Sequence, residues 1–161
     1  MHNLGVHIER VTPYMEKLLT QFIEDNSAST TFTFFTDKTA NELIARDDLA
    51  MWLWTLYGAP MAYGHIQTFP DNPHKQHVGR LGVCVDRDYR RNGLGTAIVA
   101  HLLQEAKTAG LAKVVATVYD DNPAMLAIYL DKYDFVQEGR FVDEEHWGGK
   151  ARDILSLAKR I

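Results

Sequence analysis

The sequence predicts a mixed α/β fold (α+β in its sheet topology) with a mostly antiparallel sheet, and two observations carry that reading. Between residues 49 and 85, β-type runs follow one another across turn-rich gaps, which is the pattern of an antiparallel meander. Between residues 78 and 119, a strand, a long amphipathic helix and a second strand follow in turn, the pattern of one β-α-β crossover and hence of one parallel pair. The full order reads β-α-α-β-β-β-α-β-α-β-β, about seven strands and four helices. That is not a doubly wound sheet, and the 161 residues fit one domain over 1–161.

Each element has a local reason. Gly5 to Arg10 reads as a short strand. Pro13 opens a helix in which Tyr14, Leu18, Leu19, Phe22 and Ile23 recur at helical spacing. Asn26 to Thr36 is Ser/Thr-rich with Phe32, Phe34 and Phe35, a loop with an apolar face. Thr39 and Glu42 have capping-box spacing for a short second helix. Leu49 to Tyr57 and Met61 to Phe69 read as strands joined by a tight turn at Gly58-Ala59-Pro60. Pro70 to Gln76 is a polar loop, and Val78 to Val85 is the fourth strand. Gly93 to Ala109 is the clearest helix: Leu94, Ala97, Ile98, His101, Leu102 and Ala106 form one stripe, and Gly110 stops it. Leu111 to Tyr119 is a strand, Asn122-Pro123 supplies an N-cap and a first-turn proline, and Phe135–Phe141 and Ile154–Ala158 close the sheet.

Composition excludes several function classes. Hydrophobic residues make up 46% and charged residues 24%, ordinary for a soluble globular chain and too balanced for disorder or coiled coil. The net charge of −4 gives no global attraction to nucleic acid, so any anion site must be local. The polar start of the chain, with Glu9, is no signal peptide, and no apolar stretch is long enough to span a bilayer. The single cysteine, Cys84, permits no internal disulfide and fits a reducing cytoplasm. The histidines are scattered and lack HExxH spacing, so no metal is expected.

The sharpest segment is Val83 to Thr96, VCVDRDYRRNGLGT. A strand ends, a basic loop with Arg87, Arg90 and Arg91 follows, and Gly93-Leu94-Gly95 opens a long helix. A helix N-terminus offers unpaired N–H groups and the positive end of a dipole, and glycine lets a phosphate approach them. The segment therefore reads as a phosphate or pyrophosphate cradle, the alternative being an exposed loop with solvated arginines. It is not a Walker A loop, because GxxxxGK[ST] is missing, nor a dinucleotide fingerprint, because the third glycine is missing.

Arg90-Arg91-Asn92-Gly93-Leu94-Gly95 resembles the (Q/R)xxGx(G/A) signature of the GNAT superfamily of acyl-CoA N-acyltransferases. Asn122, then Tyr129, then Phe135 resembles that family's second motif. Two features depart from it. The stretch between Tyr129 and Phe135 is one residue longer than usual, and Asp134 stands where a glycine usually precedes the phenylalanine.

The resemblance implies a GNAT-like sheet with a splayed central parallel pair, and acetyl-CoA as co-substrate between those strands. It implies that Val83, Cys84 and Val85 flank the pantetheine arm, with Asn122 contacting it. Arg90, Arg91, Asn92, Gly93, Leu94, Gly95 and Thr96 would hold the pyrophosphate. Tyr129 would protonate the departing thiolate as an amine acceptor attacks directly. The alternative is an acyl-CoA-binding module without turnover. Neither nucleic acid nor membrane is an expected partner, and the closing strands would allow a homodimer. A general base is not singled out: His65, Gln67, His77, Arg80, Asp120, Asp121, Glu144, Glu145 and His146 are candidates. Phe32, Phe34 and Phe35 are candidate walls of the acceptor pocket. Cys84, between two valines, reads as a buried hydrophobe rather than a nucleophile.

Overall fold

The computed structural model describes residues 5–29 and 32–161. The reading of residues 1–4, and Thr30 and Thr31 of the Ser/Thr-rich loop, lie outside them. One sheet runs in the order β1-β2-β3-β4-β5-β7-β6. Its strands are β1 Val6–Arg10, β2 Leu49–Leu56, β3 Ala59–Gln67, β4 Val78–Val85, β5 Lys113–Tyr119, β6 Val136–Trp147 and β7 Lys150–Arg160. The β4–β5 pair is parallel and the other pairs are antiparallel. The helices are α1 Glu16–Asn26, α2 Ala40–Ile44, α3 Leu94–Thr108 and α4 Pro123–Leu126. Among the described residues no helix is long and apolar enough to cross a membrane.

Helices cover both faces of the sheet, which is why β2 reads as a nearly continuous apolar run. Trp52 and Trp54 pack in one core with Ile98, Val99, Leu102 and Ala106 of α3. Met51 and Leu53 pack in the other with Leu19, Phe22 and Leu43 of α1 and α2. Leu102 is fully buried where α3 lies on the sheet. Leu102→Ala is expected to cost about 2–5 kcal/mol, read as a lower urea midpoint at unchanged slope.

Three local readings are corrected. The β2–β3 turn is Tyr57-Gly58, both at positive φ (49° and 82°), as a two-residue hairpin of this hand requires. Ala59 and Pro60 belong to β3, opposite a register shift at Trp54/Thr55. The closing strands run well past Phe141 and start before Ile154. Because β6 is exposed along most of its length, it lacks the alternation that would have revealed its extent.

The third correction is the helix after Asn122. It is α-helical only to Leu126, then forms a π-helical turn over Ala127–Lys132. There the Tyr133 N–H reaches the Ile128 carbonyl at 3.2 Å, an i→i+5 bond. This turn absorbs the extra residue between Tyr129 and Phe135, whose rings meet edge to face at 4.8 Å. Asp134 takes the left-handed conformation (φ 55°) that a glycine would adopt more readily.

Candidate active site

The site begins where the sheet opens. β4 and β5 pair only from Val78 to Arg80 against Lys113 to Val115, and beyond that the strands diverge. The Asp86 N–H crosses to the Met61 carbonyl of β3 at 3.0 Å. Backbone groups alternate sides along a strand, so those of Val83 and Val85 face the gap. The Val85 carbonyl there accepts from Arg90 Nε at 3.1 Å.

Gly93 sits at the mouth of the gap as the N-cap of α3, at φ 77°, with open space where a side chain would be. The first helical bond joins the Ala97 N–H to the Gly93 carbonyl at 3.1 Å, and no side chain caps the turn. The N–H groups of Leu94, Gly95 and Thr96 therefore lack helical partners and point at the mouth. Arg91, also left-handed at φ 64°, turns the loop into the helix. A cavity of about 550 Å³ lies over this turn. Val83, Cys84, Val85, Arg90, Arg91, Gly93, Leu94, Gly95, Thr96 and Asn122 line it, together with Tyr89, Ala124, Met125 and Ile128. Donors, dipole and two guanidinium groups suit a di-anion of pyrophosphate type.

Asn92 and Tyr129 are the predicted contacts that do not line this cavity. Asn92 folds back to the Tyr89 carbonyl at 3.3 Å. Asn122 caps α4, accepting from the Met125 N–H at 3.3 Å. The Cys84 thiol is buried in the core shared with Tyr63 and Leu53, so only its backbone can meet a ligand. That burial pushes its pKa up to about 12, and it is no nucleophile at neutral pH.

A second cavity, of about 250 Å³, shares Val83, Asn122 and Met125 with the first. Tyr129 lines it, with its ring buried to 2% exposure. No group among the described residues bonds its hydroxyl. Among the described residues the sealed, partnerless side-chain polar atoms are Trp54 Nε1 and His101 Nε2, so the Tyr129 hydroxyl opens on the cavity instead. Burial pushes this phenol well above its usual range, and it stays protonated.

Phe32, Phe34, His65, Gln67, Arg80 and Glu145 are the other predicted residues that reach this cavity, whereas Phe35 is buried in the core. His77, Asp120, Asp121, Glu144 and His146 do not line it. Asp120 faces Arg140 at 3.3 Å, Asp121 pairs with Arg152 at 2.8 Å, and His146 with Asp143 at 2.5 Å. His65 lies across from Gly82 in the β3–β4 register, where an added Cβ would sit 2.1 Å from its Cε1. Its Nδ1 is 3.1 Å from the buried Tyr63 hydroxyl. Among the described residues that hydroxyl has no other partner; donating to Nδ1 satisfies it, and the proton of the neutral ring then belongs on Nε2. Burial, then the charges of Arg46 and Arg80, push the His65 pKa down to about 3. His65 is thus a neutral hydrogen-bond donor and a poor base.

Sequence reasoning missed Thr33 and Tyr119 as lining residues. Both lie in segments without a motif, and only the fold brings them together. Among the described residues no group of three or more His, Cys, Asp or Glu side chains is placed to hold a metal.

Known proteins match this architecture. The ribosomal protein bS18-alanine N-acetyltransferase of Escherichia coli (strain K12) is 40% identical over 49 residues, a stretch spanning 30% of this chain and 33% of that protein. A GNAT-family acetyltransferase structure from Streptococcus pneumoniae superposes at a TM-score of 0.84 with 24% identity, covering 97% of this chain and 99% of that one. A GNAT superfamily phosphinothricin acetyltransferase from Sinorhizobium meliloti, in complex with AcCoA, also reaches 0.84 at 13% identity, covering 98% of this chain and 89% of that one. The glycine turn, the splayed pair and Tyr129 all fall within residues 14–135, which match the model of the acetyltransferase (GNAT) family, and the chain belongs to that family.

Proposed function

We propose that this chain is an N-acetyltransferase that moves an acetyl group from acetyl-CoA directly to a primary amine in a ternary complex. The observation that carries this reading is the meeting of two cavities at Val83, Asn122 and Met125, with the Tyr129 hydroxyl open on the second of them. The residues present suit the donor. The α3 turn offers free N–H groups to a pyrophosphate, and the gap offers the backbone of Val83 and Val85 to an amide-bearing arm, as an added strand would use it. When bound, acetyl-CoA supplies a thioester whose leaving sulfur is a thiol of pKa about 8.5.

The residues divide the work. Backbone groups of β4 align the arm. The Tyr129 hydroxyl, protonated and without a hydrogen-bond partner among the described residues, donates to the sulfur as negative charge gathers there. Phe32 and Phe34 form an apolar wall for the stem of the amine, and His65 offers a neutral donor to an oxygen carried on that stem. No cysteine relay is needed, since the one thiol is sealed in the core.

The test is calorimetric titration with acetyl-CoA, followed by thiol release across a panel of primary amines. Saturable binding and amine-dependent thiol release are expected. Absence of binding at millimolar acetyl-CoA overturns the donor assignment. Binding without transfer to any amine leaves a sensor module instead. One variant separates the two cavities. Gly82→Ala displaces the His65 ring from its place against β4. It is expected to raise the acceptor KM about tenfold, the loss of one hydrogen bond, with acetyl-CoA affinity unchanged. Equal losses in both would show that the two cavities do not divide the substrates.

A further inference from the structure

We infer that Glu145 is the carboxylate that holds the acceptor's ammonium group and takes its proton, with Tyr119 and Thr33 as the residues that position it. The inference rests on the N-acetyltransferase reading above. Glu145 projects from β6 and lines the same cavity as Tyr129, together with Tyr119, Thr117 and Ile154. It is half-buried, unlike most of β6.

A chain of contacts fixes its orientation. The Tyr119 hydroxyl donates to Glu145 Oε2. The same hydroxyl lies 3.0 Å from Thr33 Oγ1. The Tyr119 ring is covered by the Arg152 guanidinium, 3.4 Å from its centroid. Arg152 is in turn paired with Asp121 at 2.8 Å, and Lys150 lies 3.8 Å from Asp121. The charged and titratable groups around Glu145 are therefore Tyr119 from β5, Asp121 from the following turn, and Arg152 and Lys150 from β7. Burial first, and then the bond to Glu145, raise the Tyr119 phenol above its usual range, so it remains the donor. Among the described residues Glu145 Oε1 has no hydrogen-bond partner, and the carboxylate keeps that oxygen for a ligand.

This placement answers a specific need. An alkyl amine of pKa about 10.4 arrives as an ammonium ion, which a carboxylate can hold by charge. The ammonium first gives one proton to Glu145, which passes it to solvent, and the lone pair of the resulting neutral amine forms the C–N bond to the acetyl carbon. The C–S bond breaks with its electron pair going to sulfur, which takes the Tyr129 proton. Nitrogen becomes strongly acidic as it bonds to carbon, and its proton then passes to Glu145 and on to solvent. Tyr129 recovers a proton from solvent, so the net products are the amide, the free thiol and one proton released to solvent. Tyr129 and Glu145 thus divide the work in one cavity, the first serving the breaking C–S bond and the second the forming C–N bond.

Glu145→Gln keeps the shape and still accepts from Tyr119, but removes the charge. It is expected to lower kcat/KM for the amine about 100- to 1,000-fold, with acetyl-CoA affinity unchanged by calorimetry. Glu145→Ala is expected to regain activity with added formate, a small carboxylate that a merely structural role would not use. Tyr119→Phe is expected to lower kcat at unchanged acetyl-CoA affinity, without rescue by formate. If wild type binds acetyl-CoA and acetylates amines while Glu145→Gln runs within threefold of it, the role of Glu145 is overturned and the N-acetyltransferase reading stands. If wild type acetylates no amine, both are overturned.

Discussion

Tyr129→Phe is expected to lower kcat for amine acetylation by about 100- to 1,000-fold, the usual contribution of a positioned proton donor. Acetyl-CoA affinity by calorimetry should not change, because Tyr129 lines the second cavity and not the one over the α3 turn. Stability should hold as well. Among the described residues the hydroxyl bonds no group, so its removal strands none of them, and the ring keeps its edge contact with Phe135. The pH profile adds a second check with a definite sign. Burial holds the phenol above its ordinary range, so it does not deprotonate below about pH 10, and no alkaline decline there should belong to it. A Phe variant with kcat within threefold of wild type would remove Tyr129 from the mechanism.

Gly93→Glu is expected to weaken acetyl-CoA binding at least about 100-fold, the loss of one or two charge-assisted hydrogen bonds of roughly 1.5–3 kcal/mol each. The new carboxylate would stand before the free N–H groups of Leu94, Gly95 and Thr96 and act as the cap they lack. Space is open there, so the side chain itself meets nothing. The cost to folding is the left-handed backbone at φ 77°, about 1–2 kcal/mol. Gly93→Asn separates the two effects, since asparagine tolerates that conformation and carries no charge. Binding that survives in the Asn variant and fails in the Glu variant assigns the site to an anion. Full affinity in the Glu variant would make the turn an ordinary strand-to-helix loop.

The parts of the site legible in the sequence are those written locally. Gly93 as N-cap, the free helix turn behind it, and Asn122 with Pro123 at the start of α4 each depend on neighbours a few positions away. The order of elements along the chain is legible for the same reason, since turns and helix caps punctuate it, whereas the insertion of β7 between β5 and β6 is not. The second cavity is different. Thr33 meets Tyr119 across 86 positions and Tyr119 meets Glu145 across 26, and nothing in any of these segments announces the other two. Glu145 was one of nine candidate bases, and only the pairing of β6 with β7 brings it to the cavity. His65 shows the converse. Its residue type suggested a base, but its burial and the Tyr63 hydroxyl turn it into a donor.

The π-helical turn over Ala127–Lys132 bears on how segments of this kind can vary. A regular helix advances about 100° per residue, so a residue added within it would swing all that follows around the axis. Here the surplus is taken up as a bulge that includes Tyr129 itself, and the chain still brings Phe135 edge-on against its ring. Azimuth and length are thereby uncoupled. A lineage can gain or lose a residue between these two aromatics without re-aiming the hydroxyl. The spacing between them is a poor marker of kinship, and the contact between their rings is the better one.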